Sequence, residues 1–218
     1  MSIKNTAVSK KTFKHKSYLI AKRIFDIISS VFALLLLSPV ILIILLVKFF
    51  EDFHNPIYVT KRVGKDGKLF PFIKVRTMRP DADKHKDAMI AKGLNEADGP
   101  VFKIKNDPRI TPVGKFLRKW SLDELLQFIN ILLGHMSVVG PRPPLPKEVK
   151  HYKKRHMRRL EVKGGLLCYW QIQPDRHSIK FEDWVKLDVQ YIENQSFATD
   201  MKIIFKGAYM IFSGKSGD

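Results

Sequence analysis

A nearly continuous apolar run, Ile27 to Val47, constrains this chain more than any other feature. It reads IISSVFALLLLSPVILIILLV, and as a helix rising roughly 1.5 Å per residue it reaches about 31 Å, the depth of a bilayer core. The lysines before it (Lys4, Lys10, Lys11, Lys14, Lys16, Lys22) resemble the start of a signal peptide. The run is too long for a signal-peptide core and no small-residue cleavage site follows, so we expect it to be retained. Ser38-Pro39 lies near its centre. Proline removes one helical hydrogen bond and crowds the preceding turn, and in lipid the freed carbonyl needs a partner such as a serine hydroxyl. Residue physics leaves two forms open: a kinked single span, or a helix that bends at Ser38-Pro39 and returns to the face it entered. Both flanks are basic, with Arg23 before the run and Lys48, Lys61, Arg62 and Lys65 after it. That gives a straight span no direction, while a re-entrant helix keeps both ends cytoplasmic.

The formal charge of +18 over 218 residues calls for an anionic partner, and nucleic acid and anionic lipid are the usual ones. A single cysteine, Cys168, excludes an internal disulfide and a cysteine-only metal cluster, and nothing places an activating base beside it. The seven histidines show no zinc spacing. No internal repeat or Gly/Ser linker divides the remainder.

Beyond the run, Ile57–Val63 alternates like a strand and meets LFPFIKVR through the turn Lys65–Lys68, which predicts a hairpin. Asp81–Lys92 reads as an exposed helix and Leu94–Asp107 as a loop. Thr111-Pro112 is an N-cap followed by proline at the first helical position, starting a helix through Lys119. Ser121 has the spacing of an N-cap with Glu124 three residues on, predicting a helix to about Leu133 that stops at Gly134. KEVKHYKKRHMRRL reads as helical, KGGLLCYWQIQ as irregular, and helices resume over Ile179–Gln195 and Thr199–Phe212, the last amphipathic. The fold class is α+β and helix-dominated, with short strands and no repeated βαβ unit. The expected division is a basic leader at 1–22, a membrane helix at 23–50 and a catalytic domain at 51–218.

Several residues carry chemistry, and each has a plainer alternative. Asp123 falls in the first turn of the Ser121 helix. There it is either a surface carboxylate complementing the helix dipole, for roughly 0.3–1 kcal/mol, or an anion kept ready to attack or to bind metal. Glu124 is either a capping-box residue or a second functional carboxylate. Arg142 lies in Gly140–Pro144, where prolines on each side fix the direction of its guanidinium, as bidentate phosphate binding requires. Asn106–Arg109 is a turn by its residue types; Asp107 with Asp123 offers a magnesium pair, since that ion takes few carboxylates and leaves room for phosphates. Arg76, Arg109 and Arg118 are further candidates for facing an anion. Trp170-Gln171 reads as a groove wall or as ordinary core.

In order, KRIFD, the Ser-Pro break, FPFIKVRTM, NDPRITPVGKFLRKWSLDELLQFINIL, MSVVGPRPPLP and YWQI resemble the bacterial sugar transferases, the monotopic phosphoglycosyl transferases, over about residues 20–213. The resemblance implies transfer of a sugar-1-phosphate from a UDP-sugar to undecaprenyl (polyprenyl) phosphate with magnesium, at the cytoplasmic face of the bacterial inner membrane. This is the initiating step of exopolysaccharide, capsule, O-antigen or glycan synthesis. In that scheme Asp123 is the nucleophile that forms a phosphosugar intermediate and releases UMP. Glu124 handles metal or proton, Arg142 binds phosphate, and Ser38-Pro39 makes the helix re-entrant. Amphipathic segments are then expected to lie at the interface beside anionic lipid, and a homodimer is compatible with the sequence.

The chain departs from the family's PGLTGLWQVSGR pattern, reading Gly164–Asp175 as GGLLCYWQIQPD with Arg176 one place late. If that loop reads the donor, the sugar differs from the common ones. Two rivals stand beside the enzyme. A membrane-tethered basic module binding anionic lipid or nucleic acid rests on charge alone, and no nucleic-acid motif supports it. An inactive scaffold of the same family conflicts with the intact Asp123-Glu124 pair.

Overall fold

Proline inside a helix orphans a carbonyl, and the computed structural model of this chain shows where that carbonyl goes. The structure describes residues 2–91, 93–104, 106–173 and 178–213, with side chains outside 2–14, 86–88 and 90–91. Helix α1, Ser2–Asp52, runs through Pro39 as one element. The carbonyl of Leu35, which Pro39 cannot reach with an N–H, accepts the Ser38 hydroxyl at 2.9 Å. The serine hydroxyl thus takes the carbonyl that proline leaves without a partner, as the Ser38-Pro39 reading expected.

Both arms of α1 are fastened to the rest of the chain. On the N-terminal arm, Tyr18 and Lys22 donate to Asp200 at 2.9 and 2.7 Å. Arg23 donates to the carbonyls of Ile131 and Leu132, and the buried Asp26 accepts from Ser137 Oγ and the Val138 amide. On the other arm the buried Lys48 contacts Glu51 and Thr111, Glu51 accepts the Val113 amide, and Asp52 binds Arg76 through both oxygens at 2.6 and 2.7 Å. Between the arms Val31, Phe32, Leu35, Leu36 and Val40 are exposed. The segment His15–Asp52 is long and apolar enough to cross a membrane.

Strands β1 (Ile57–Val63) and β2 (Leu69–Val75) form the expected antiparallel hairpin, its turn closed by Asp66 and Gly67 with positive φ. The register sets Tyr58 opposite Lys74, Thr60 opposite Phe72 and Arg62 opposite Phe70, so these six residues share one face. The exposed α2 (Ala82–Ala91) follows, and α3 (Pro112–Lys119) starts as predicted, Thr111 Oγ1 accepting the Gly114 amide at 3.1 Å.

The predicted Ser121 capping box does not form. Ser121 sits in the left-handed region at φ 53°, ψ 24°, its side chain caps nothing, and Leu122–Glu124 is a 3₁₀ turn. Only at Gln127 does the chain settle into α4 (Gln127–Leu132), which ends at Gly134 with φ +84°. The extended geometry an N-cap needs is lost to the tight reversal out of α3.

Two further corrections follow. Gly164–Leu167, read as irregular, is strand β4, pairing in parallel with β3 (Met136–Val139). A Cβ on Gly165 would stand 2.0 Å from the Gly140 nitrogen, so glycine is what lets the two segments close up, and glycine is also what hid the strand. The basic stretch read as one helix is broken into α5 (Pro146–Val149), α6 (Lys154–Met157) and a 3₁₀ turn at Arg158–Leu160. Lys153 is extended and its amide donates to His156 Nδ1, so the helix restarts there and carries Arg159 inward. Helices α7 (Phe181–Glu193) and α8 (Phe197–Phe212) match expectation.

Two apolar clusters hold these pieces. Phe70, Phe72, Ile131, Met136, Val139, Tyr191 and Ile203 form one. Ile44, Val75, Leu117 and Leu126 form the other, so α1 contributes to the core directly. Helix α4 joins them, with its N-cap residue Leu126 in one and Ile131 in the other.

Candidate active site

The 3₁₀ turn sets Asp123 down with only 7% of its surface exposed. Its carboxylate accepts no hydrogen bond among the described residues. Facing it is Lys74, delivered by the inward face of the hairpin, with its ammonium 5.5 Å from the Tyr58 ring. Burial drives the Lys74 ammonium down to about 8; Arg118, Arg62 and Arg142 push the same way, and Asp123 opposes them. These five charged groups therefore share one electrostatic neighbourhood. Arg118 is steered by its Nε–H to Thr77 Oγ1 at 3.0 Å. Arg142 is exposed, while its own carbonyl accepts Arg159 Nη2 at 3.4 Å.

Arg159 is itself held from below. Its Nε donates to the fully buried Asp188 at 2.7 Å and its Nη1 to the Tyr152 hydroxyl at 2.7 Å. The Pro-Arg-Pro segment thus rests on a charged strut beneath the core.

Glu124 faces a small pocket lined also by Arg62, Phe72, Gln127, Arg142, Cys168 and Gln171. Burial, with Arg142 next, lowers the Arg62 guanidinium to about 10. Cys168 is fully buried and burial pushes its thiol up, which keeps it an unreactive thiol. Trp170 is core, stacked on Trp184 at 4.5 Å.

Not every predicted residue joins this cleft. Arg76 is buried with its guanidinium committed to Asp52 and to the carbonyls of Asn55 and Met78. Arg109 is committed to Asp107, at 2.9 and 2.6 Å, so both Asp107 oxygens are taken. Burial raises the Asp107 carboxyl, but the bonds from Arg109 outweigh it and hold it below the usual range. Asp107, expected beside Asp123 as a magnesium ligand, is here half of an ion pair with Arg109. Among the described residues no group of three or more His, Cys, Asp or Glu is placed to hold a metal ion. Pro174, Asp175 and Arg176, part of the altered loop, lie outside the described residues.

Lys74, Arg62 and Gln127 were not singled out from sequence. The signals were there: Arg62 and Lys74 fall on the Phe70–Phe72 face of an alternating hairpin, and Gln127 follows Asp123 by one helical turn.

The sequence model of the family described as bacterial sugar transferase matches residues 17–214. The galactosyl transferase CpsE of Streptococcus agalactiae is 41% identical over 206 residues, covering 94% of this chain and 45% of that protein. The exopolysaccharide production protein ExoY of Rhizobium meliloti is 39% identical over 188 residues, covering 85% and 83%. The undecaprenyl-phosphate galactose phosphotransferase of Salmonella typhimurium is 40% identical over 195 residues, covering 87% and 40%. The chain thus spans less than half of two of these relatives and most of the third.

Proposed function

Because this chain belongs to the bacterial sugar transferase family, we propose that it moves a sugar-1-phosphate from a UDP-sugar to undecaprenyl phosphate through a phosphosugar on Asp123, releasing UMP. The observation that carries this reading is a buried carboxylate that accepts no hydrogen bond among the described residues and acts on Lys74, which also feels Arg118 and Arg142, on a body fastened to a membrane-length helix. An Asp123 oxygen attacks the β-phosphorus, and the bond from that phosphorus to the bridging oxygen breaks, the electron pair leaving on UMP. In the second step an oxygen of the lipid phosphate attacks the same phosphorus and frees Asp123. Both steps gather negative charge, so a preorganised cationic shell lowers both barriers. Splitting the transfer lets one pocket serve two acceptors in turn.

Magnesium fits the donor set in one form. The ion binds through one or two carboxylates plus substrate phosphates, and the adjacent Asp123 and Glu124 supply that number without Asp107. When bound, it neutralises charge on the phosphates. Glu124, on the pocket wall, is suited to hold it or to accept a proton.

Topology follows the same reading. Both arms of α1 bond to one globular body, which supports a helix that enters and leaves the same, cytoplasmic, face of the bacterial inner membrane. Exposed Phe205, Tyr209 and Phe212 on α8, with Lys202 and Lys206 on the same helix, suit an interfacial position beside anionic lipid. Cysteines placed at the two ends of the Ile27–Val47 run should be labelled from the same side; labelling from opposite sides would refute the topology.

The relatives' names make UDP-galactose the first donor to try, and exopolysaccharide or capsule initiation the first role. Purified protein with magnesium, undecaprenyl phosphate and a panel of UDP-sugars should release UMP with one donor and make the matching lipid-linked sugar phosphate. Absence of UMP with every donor overturns the assignment.

A further inference from the structure

We propose that Arg62 Nε–H and Gln127 Nε2–H form a slot for one phosphate oxygen of the substrate, a subsite that rests on the phosphoryl transfer proposed above. Buried donors are almost always paired. Arg62 is 9% and Gln127 2% exposed, yet Arg62 Nε and Gln127 Nε2 are buried with no acceptor among the described residues. Both residues line one pocket with Glu124 and Arg142, next to the Asp123 turn.

The rest of Arg62 is fixed. Its Nη1 donates to the Pro143 carbonyl at 3.0 Å and its guanidinium lies 5.1 Å from the Phe72 ring, so the side chain is held in place on two sides. Gln127 is fixed by its place in α4, one helical turn beyond Asp123. The unoccupied space is sized for one small group such as a single oxygen, too tight for a sugar ring. The pocket lining carries two guanidiniums, Arg62's own and that of Arg142, against one carboxylate, Glu124, so the two N–H donors favour an anionic oxygen. Phosphate is the anion the reaction brings, and it arrives from two sources, the nucleotide donor and the lipid acceptor.

Gln127→Leu removes the amide donors while keeping the shape, and Arg62→Lys keeps the charge but not the Nε–H. The donor half-reaction is read as exchange of labelled UMP into the UDP-sugar without lipid. The acceptor half-reaction is read as discharge of the isolated phosphosugar-enzyme onto undecaprenyl phosphate. Each variant should slow the reaction by about 10- to 100-fold. Slowing of both halves places an oxygen of the transferred phosphate in the slot, slowing of the first alone a donor oxygen, and of the second alone a lipid oxygen. No slowing of either half overturns the proposal. A merely structural glutamine is distinguished by thermal unfolding: Gln127→Leu should leave the midpoint of the ligand-free protein unchanged or raised, because a buried unpaired amide is gone, and a lowered midpoint overturns the slot. If the wild type releases no UMP, calorimetric titration with inorganic pyrophosphate tests the slot separately. Binding weakened at least about tenfold by Gln127→Leu supports it, and unchanged binding overturns it.

Discussion

The seam that fastens α1 to the globular body and the cleft around Asp123 are both crowded with charged side chains, and they treat them in opposite ways. In the seam the charges are satisfied: Asp52 by Arg76, Lys22 by Asp200 and Lys48 by Glu51, with Arg23 donating to two carbonyls and Asp26 accepting from a hydroxyl and an amide. The Asp107–Arg109 pair follows the same rule. In the cleft, Lys74, Arg62, Arg118 and Arg142 crowd together, while Asp123 accepts no hydrogen bond and two buried N–H groups lack acceptors. A paired buried charge holds structure, and removing one partner is costly. A cluster of like charges beside an unbonded carboxylate in a cleft is the arrangement a charged substrate completes. The contrast sorts the arginines better than their sequence motifs do.

The largest effect should come from Asp123→Asn, which we expect to reduce UMP release by at least about 10³-fold with an unchanged thermal midpoint. Activity lost only through unfolding would move Asp123 to the seam. Next is Arg76→Ala, which leaves Asp52 without its partner and should cost about 3 kcal/mol of stability, measured by unfolding in detergent micelles. Its activity per folded molecule should persist; a stable but inactive variant would move Arg76 into the cleft.

Lys74 gives a smaller, pH-dependent effect. Its folded value, about 8, lies below the ordinary 10.5. Its charge is therefore present below pH 8 and lost as pH rises through it, so the KM for the donor should rise roughly tenfold from pH 7 to pH 9. Lys74→Arg should flatten that rise; an identical profile in the variant would assign the titration elsewhere. The stability sign is opposite. The unfolded chain binds the extra proton between about pH 8 and 10.5, so this group's contribution to stability rises with pH across that window. Lys74→Met should then stabilise the protein at pH 7 by ~1–2 kcal/mol in thermal unfolding while impairing turnover. Smallest is Ser38→Ala, which leaves the Leu35 carbonyl without its hydroxyl and should cost roughly 0.5–1 kcal/mol by the same measurement. Unchanged stability would mean the helix finds another partner for that carbonyl.

What was legible in the sequence was local. Thr111-Pro112 announces a helix because cap and proline act on adjacent backbone, and the β1–β2 hairpin is written in its alternation and its Asp-Gly turn. What was hidden depends on distant partners. Gly164 and Gly165 look unlike strand residues until Gly140 and Pro141 approach them. Ser121 has an N-cap's identity, but the exit from α3 forces it into the left-handed region. Arg76 and Arg142 look equally suited to phosphate, and only the fold gives Asp52 to the first and leaves the second exposed. The Asp123-Glu124 pair stood out as a candidate in the sequence, while the cations that share its electrostatic neighbourhood are scattered between residues 62 and 142 and come together only on folding.

Anchoring α1 at both arms has a kinetic consequence. A body joined to its anchor by a single flexible linker can tumble and sweep a volume above the bilayer. With α1 seated in a bilayer as proposed, the body loses that rotational freedom, and the mouth of the cleft keeps one height and one tilt over the lipid surface. For a lipid-borne acceptor, encounter is then a two-dimensional search, with a rate set by surface density and lateral diffusion rather than by bulk concentration.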